Sequence, residues 1–296
     1  MRVTQTMLTN NMMRNLNKSY KSLGVYQDQL ATGKKINRPS DDPVVAIKGM
    51  NYRTNLTEIE QYQRNLSEVY NWMETSDAAI DKMTSAMHRV RELTVQASSS
   101  TNNADEKKSI AVEIEQLKQH IESIANTKVG NKYIFNGTNT TVKPIDLANG
   151  TPVPENTNEV LIEVSNGIKL GANVNGKELF EGTNPDHADL FTELDNLITS
   201  LNTNATDIDK HLAAIDSHSA NMTSLRADLG ARYNRVELVD DRLGQQEVIA
   251  NRIISDNEDA DIERVITDLK MQESVHRAAL SVGARIIQPS ILDFLR

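Results

Sequence analysis

From Ile59 to Thr94 the chain repeats one pattern without interruption. Ile59, Tyr62, Leu66, Val69, Met73, Ser76, Ile80, Met83, Met87, Val90 and Thr94 fall at alternating steps of three and four, and most are apolar. This is the heptad seam of a coiled coil, which demands a long helix paired along one face. The helix is expected to open at Asp42-Pro43. The residue before a proline is pushed into the extended conformation an N-cap needs, and proline suits the first helical position. Run to about residue 99, such a helix is roughly 85 Å long at 1.5 Å per residue. A compact globule of 296 residues is only about 50 Å across. The chain therefore predicts a mainly α fold, an elongated rod of long coiled-coil-like helices.

Two further seams supply partners for the first. Ile110, Ile114, Leu117, Ile121 and Ile124 follow the polar stretch SSSTNNADEKK, and Ile208, Leu212, Ile215, Met222, Leu225, Leu229, Val236, Leu243 and Ile253 make a third seam that opens within TNATDIDKH. With aromatics at 4% and hydrophobic residues at 38%, these helices must pack through aliphatic side chains. Between the seams the pattern changes. NKYIFNGTNT contains Asn136-Gly137, and further Asn-Gly pairs at 149, 166 and 175 flank the runs EVLIEV and IKL, which is hairpin chemistry. A short helix then carries Leu190, Leu194, Leu197, Ile198 and Leu201 behind a cap expected at Asp186. The organisation expected is a pair of terminal arms, 1–42 and 256–296, a helical body, 43–130 and 188–255, and a small β-rich insert, 131–187.

Charge and side-chain chemistry narrow the function. A net charge of -9 argues against nucleic acid as a partner. The sign is uneven: nine Lys/Arg against five Asp/Glu give residues 1–60 a charge of +4, whereas four against ten give residues 131–203 a charge of -6. The two regions should meet different surroundings. Cysteine is absent, which removes disulfides, thiol catalysis and thiolate metal sites. No stretch is apolar for long enough to insert in a membrane, and the start has no apolar run followed by a cleavage site of a secretory signal. Asp256, Glu258, Asp259, Asp261 and Glu263 lack the glycine and distal glutamate of a calcium loop and read as acids at a helix start, where the macrodipole favours them. The six histidines, at 88, 120, 187, 211, 218 and 276, form no zinc pattern and read as members of solvated helix faces. No phosphate-binding glycine loop is present. No cofactor, metal or catalytic residue is therefore expected, and an enzyme with the insert as its catalytic part is a remote alternative.

The chain ends carry what is left. Leu8, Met12, Leu16, Tyr20, Leu23 and Leu30 share one helical face that stops at Gly33. Ile262, Val265, Ile266, Leu269, Val275, Ala279, Val282 and Ile286 make a second stripe, and Ile291, Leu292, Phe294 and Leu295 close the chain on an apolar hook. The seams of the body are already paired, so these stripes must meet each other or other copies of the chain. Gly283 and Ala284 are small enough to admit another helix closely, although a glycine costs a helix about 1 kcal/mol. Asp42 and Pro43 are explained as a helix cap.

LATGKKINRPSDDPVVAI resembles the segment that follows the first helical arm in flagellins and their relatives, and its Arg-Pro-Ser-Asp-Asp-Pro form resembles the hook-associated branch of that family. GNKYIFNGTNT and the stretch from ISDNEDADIERV to ILDFLR resemble two further parts of the same family. The resemblance implies that both chain ends form an inner coiled-coil core, loose in the free subunit and ordered on assembly, while the insert faces outward. It places Leu280, Ile286, Ile287, Leu292, Phe294 and Leu295 in that core and assigns Arg38 and Asp41 to subunit contacts. Burying four such large side chains is worth several kcal/mol, at about 1.5 to 3 kcal/mol each before ordering is subtracted. The implied partners are other copies in a ring, a neighbouring hook-associated protein, flagellin, and an export chaperone on the C-terminal arm. Export through the flagellar type III channel would need no cleavable signal. The implied function is a structural adaptor at the junction of hook and filament, outside the cell; a flagellin that builds the filament itself is the alternative.

Overall fold

The computed structural model describes residues 5–99, 103–182, 188–203 and 208–287. Seven α-helices dominate these residues: α1 Gln5–Thr32, α2 Pro43–Ser98, α3 Ala104–Ala125, α4 Gly176–Glu181, α5 Leu190–Asn202, α6 Ile208–Glu258 and α7 Ile262–Ile287. Two antiparallel hairpins, β1 Lys128–Val129 with β2 Lys132–Tyr133 and β3 Leu161–Ser165 with β4 Ile168–Gly171, and a 3-10 turn at Leu147–Asn149 complete them. The fold is mainly α, as the periodicity required. Two compact units are present, one made of residues 59–245 and one of residues 1–58 with 246–296; α2 and α6 contribute to both.

The unit 59–245 is a helical bundle built on the seams. From Leu66 to Thr94 every position of the first seam is buried, and α3 and α6 bury Ile110, Ile114, Ile121, Ile215, Met222, Leu229, Val236 and Leu243 opposite them. The two polar members, Ser76 and Thr94, are buried as well. The Thr94 hydroxyl donates to the Val90 carbonyl at 2.8 Å, which lets a polar side chain sit dry inside a helix. α3 packs on α5. Arg226 of α6 bridges Asp77 and Asp81 of α2, Arg91 binds Asp216, and Lys118 of α3 binds Asp195 of α5. The exposed pairs among these add at most about 1 kcal/mol each, so the seams supply the stability.

The insert is less regular than expected. Of NKYIFNGTNT only Lys132–Tyr133 is strand. Phe135 turns inward against Phe180, which also meets Phe191. EVLIEV and IKL do pair, around Gly167 at φ +73°. The pair Asn175-Gly176 makes no hairpin. Asn175 caps α4 by accepting from Lys177 N, and a Cβ on Gly176 would stand 2.0 Å from the Phe135 carbonyl oxygen. The cap of α5 is Asp189, which accepts from Thr192 N at 3.0 Å; Asp186 lies outside the described residues.

Two histidines depart from the solvated faces expected of them. His218 is buried and donates from Nε2 to the Ala188 carbonyl at 3.1 Å. His211 Nδ1 donates to Glu193 Oε1 at 2.6 Å, and its Nε2 shares a hydrogen bond with Ser200 Oγ at 3.1 Å.

In the other unit α1 and α7 pack together antiparallel: Met12 meets Gly283, Ser19 meets Gln272 and Lys34 meets Asp259. α1 ends at Gly33, whose φ of +69° only glycine adopts freely. Asp42 Oδ1 accepts from Val44 N and Val45 N at 3.0 and 3.2 Å, with Pro43 as the first residue of α2. The acidic run does not start one helix, because α6 continues to Glu258 and α7 opens only at Ile262. Asp261 caps α7 through Arg264 N at 3.1 Å, and Glu263 sits in its first turn. Asp256 and Glu258 occupy the end of α6, where the macrodipole disfavours acids, and Glu258 is held there by Arg53 and Lys34.

Candidate assembly surface

The arm unit leaves its apolar residues open. Of the buried hydrophobic side chains among the described residues, Val265 alone belongs to it; all the others lie in 59–245. Conversely, among the described residues every large hydrophobic that is exposed lies in the arm unit except Val95, Val112, Val142, Leu161 and Leu238. The open side chains are spread over α1, the first turns of α2, the end of α6 and α7: Leu8, Ile47, Met50, Val248, Met271 and Leu280 are examples, Met271 at 59% and Leu280 at 47%. So many large apolar side chains left open in one unit call for a partner to cover them.

The residues singled out in the sequence distribute over this unit as follows. Leu8 and Leu30 are exposed on α1, while Met12, Leu16 and Leu23 are half-buried. Leu280 and Ala284 are exposed on α7. Gly283 is buried, and a Cβ there would stand 1.5 Å from Met12 Cε. The small residue thus receives a side chain of its own chain, the other arm's Met12. Ile286 and Ile287 close α7, with side chains outside the description; Leu292, Phe294 and Leu295 lie outside the described residues. Arg38 and Asp41 are exposed in the turn before α2, where Asp41 Oδ2 accepts from Asn37 N and Arg38 N at 3.3 and 3.0 Å. The turn holds its own shape and presents the Arg38 side chain to solvent.

Sequence reasoning missed the cluster at the base of the arms. Glu258 is buried, its Oε2 paired with Arg53 and 3.8 Å from Lys34 Nζ. Hydrogen bonding to Glu258 raises the Arg53 guanidinium above its usual range. Lys34 Nζ also binds Asp259 Oδ1 at 2.6 Å, and this bond, with help from Ser255, holds the Asp259 carboxyl below the usual range. One signal was available: Gly49 is an isolated glycine inside a helix, and such a glycine calls for a packing reason.

Chemistry of other kinds finds little support. No group of three or more His, Asp or Glu placed for a metal is found among the described residues. Ser200, His211 and Glu193 share the hydrogen-bond order of a hydrolase relay, but Ser200 lies in the last turn of α5. A helix end of that kind offers carbonyl oxygens, whereas an oxyanion needs N–H donors. Among the described residues no helix is long and apolar enough to cross a membrane.

Comparison with known proteins places this architecture. The bacterial flagellin N-terminal helical region matches residues 3–140, and the bacterial flagellin C-terminal helical region matches residues 212–295. The chain belongs to the flagellin family. The two matches take in both arms and leave residues 141–211, most of the insert and α5, outside the flagellin regions. Within the family, flagellar hook-associated protein 3 of Escherichia coli (strain K12) is 25% identical over 302 residues, covering 94% of this chain and 95% of that protein. Phase 1 flagellin of Salmonella naestved is 33% identical over 121 residues, which is 41% of this chain and 23% of the flagellin. The fold is similar to that of a flagellar hook-associated protein from Vibrio parahaemolyticus, with a TM-score of 0.68 and 20% identity over 74% of this chain and 100% of that one. It is likewise similar to hook-associated protein 3 from Legionella pneumophila, with a TM-score of 0.63 and 15% identity over 70% and 98% of the two chains.

Proposed function

We propose that this chain is a structural adaptor of the bacterial flagellum, without enzymatic activity, that joins the hook to the filament as a ring of identical subunits. One observation carries the reading. The alignment to a flagellar hook-associated protein 3 runs almost end to end in both chains, whereas the alignment to a flagellin reaches 23% of the flagellin. The surface fits the role. An arm unit whose apolar side chains are open needs neighbours to cover them, and copies of the chain, an adjoining hook-associated protein and flagellin are the neighbours such a junction supplies. Arg38 and Asp41 in the exposed turn, with Leu8, Leu30 and Leu280 on the arms, are the contacts assigned to them. Leu292, Phe294 and Leu295, which lie outside the described residues, are assigned to the same contacts by the resemblance alone. Export from the cell, with a chaperone shielding the C-terminal arm until assembly, completes the reading.

The 33% identity to a flagellin over 121 residues keeps filament formation as the second reading. The two separate on location. An epitope placed in the β3–β4 turn at Asn166-Gly167, which is exposed, is labelled on whole flagella and viewed by electron microscopy. A single band where hook meets filament is the expected result. Label along the whole filament makes the chain a flagellin, and a bare flagellum overturns both readings.

A further inference from the structure

The base of the arm pair is built differently from the rest of it. Glu258 lies over Gly49 of α2 so closely that a Cβ at Gly49 would stand 2.5 Å from Glu258 Oε1. The carboxylate, its side chain 7% exposed, meets Arg53 on one side and Lys34 on the other. Backbone bonds close around it. Lys35 N–H donates to the Glu258 carbonyl at 2.6 Å, and Ala260 N–H donates to the Gly33 carbonyl at 2.9 Å. Asn257 Nδ2 donates to the Val45 carbonyl at 3.1 Å. Four helix ends thus meet in one cluster: the end of α1, the start of α2, the end of α6 and the approach to α7.

The joining is of a kind that does not slip. A buried carboxylate deprived of its cations is left uncompensated, which is strongly unfavourable. The two reciprocal backbone bonds fix the register of the α1–α2 turn against the α6–α7 turn. Val265, the buried hydrophobic of this unit, lies one turn into α7 from the cluster. Farther out the arms are joined by Ser19 to Gln272 at 3.0 Å and by Met12 on Gly283, while most of their large apolar side chains stay open. The ion pairs and reciprocal backbone bonds between the arms are thus gathered at the root.

We propose that the cluster of Glu258, Gly49, Arg53 and Lys34 is a latch that holds the roots of the two arms together in the free subunit, and that the arms zip outward from it as neighbours cover them. The zipping half rests on the assembly role proposed above; the latch itself does not. Gly49 is then the latch's seat. Glycine inside a helix is intrinsically unfavourable, and here its missing Cβ makes the room the carboxylate fills.

Hydrogen exchange on the full-length free subunit tests this. In the wild-type chain the amides of Lys35 and Ala260 should exchange at least about tenfold slower than unstructured peptide rates, and those of residues 7–12 near those rates. Gly49→Ala is the decisive variant. Alanine favours the helix, so a helix-only account expects equal or greater protection at Lys35 and Ala260, whereas the latch expects their protection to fall severalfold with residues 59–245 unchanged. Glu258→Gln, which keeps the shape and removes the charge, should lower the same two amides. The latch is overturned if Lys35 and Ala260 exchange at unstructured rates in the wild type, or if both variants leave them protected. Should Glu258→Gln also loosen residues 59–245, Gly49→Ala alone decides between the two accounts. Wild-type arms protected equally from root to tip overturn the zipping order. A failure of the junction reading would appear in the labelling of whole flagella and would leave these exchange results standing.

Discussion

Residues 59–245 and the arm unit draw on the same aliphatic residues and use them in opposite ways. The bundle hides them: Leu66, Ile80, Ile114, Met222 and Leu243 are all buried. The arms display them: Met50, Val248, Met271 and Val275 are all exposed. Both regions are helical, and both have stripes at helical spacing. A stripe therefore states that a helix needs a partner, and only the packing tells whether the chain itself supplies one. The bundle folds for itself; the arms are left incomplete by their own chain.

The largest test of that contrast is truncation. Ending the chain after Gly283 should leave the melting of residues 59–245 unchanged, because their seams lie elsewhere, and should abolish incorporation into flagella; normal incorporation would sink the partner-surface reading. Next comes a matched pair of substitutions. Ile80→Ala in the bundle should lower unfolding free energy by about 2–5 kcal/mol, while Ile266→Ala, at a position 37% exposed, should change it by no more than about 0.5 kcal/mol and reduce assembly instead. Denaturant melts and incorporation assays on both would expose a false contrast, since equal losses of stability would mean the arm packs as core. Smaller still, Asp42→Ala removes the acceptor for Val44 N and Val45 N and should destabilise the start of α2 by about 1 kcal/mol, seen as faster exchange in its first turn.

Titration gives the mildest and most selective probe. The Asp259 carboxyl is lowered by Lys34, so its contribution is fully present above the unfolded carboxylate value of about 4 and fades as pH falls through the lower folded value. Acid should loosen the arm base in that range. In the bundle, burial pushes the Tyr70 phenol up to about 12. That contribution is complete below the unfolded value of about 10 and is lost as pH rises towards 12. Exchange at Lys35 and tyrosinate absorbance, read on one sample, should respond at opposite ends of the scale.

The heptads announced most of the bundle. Steps of three and four located α2, α3 and α6, and even Ser76 and Thr94 belonged to the seam the spacing drew through them. Spacing failed where a partner runs out: Ile253 continues the third seam by count, yet it is exposed. The break between α6 and α7 was misplaced because no glycine or proline marks it; Lys35 and Gly33, more than two hundred residues away, donate and accept the bonds that fix it. Asn175-Gly176 looked like a turn because the dipeptide alone does not reveal that Phe135 needs the room. The stripes on the arms were plain in the sequence, but that Gly283 receives Met12 required coordinates. The Glu258 cluster was least legible of all, since its members are brought together only by tertiary contact.

The seat at Gly49 also bears on how this chain can vary among its descendants. Helix propensity alone would let alanine drift into that codon, yet here the replacement is admitted only when the carboxylate opposite has moved or been lost. Positions 49 and 258 should consequently change as a pair. A lineage that gives up the acid frees the glycine, and one that keeps both has inherited the root of its arms intact.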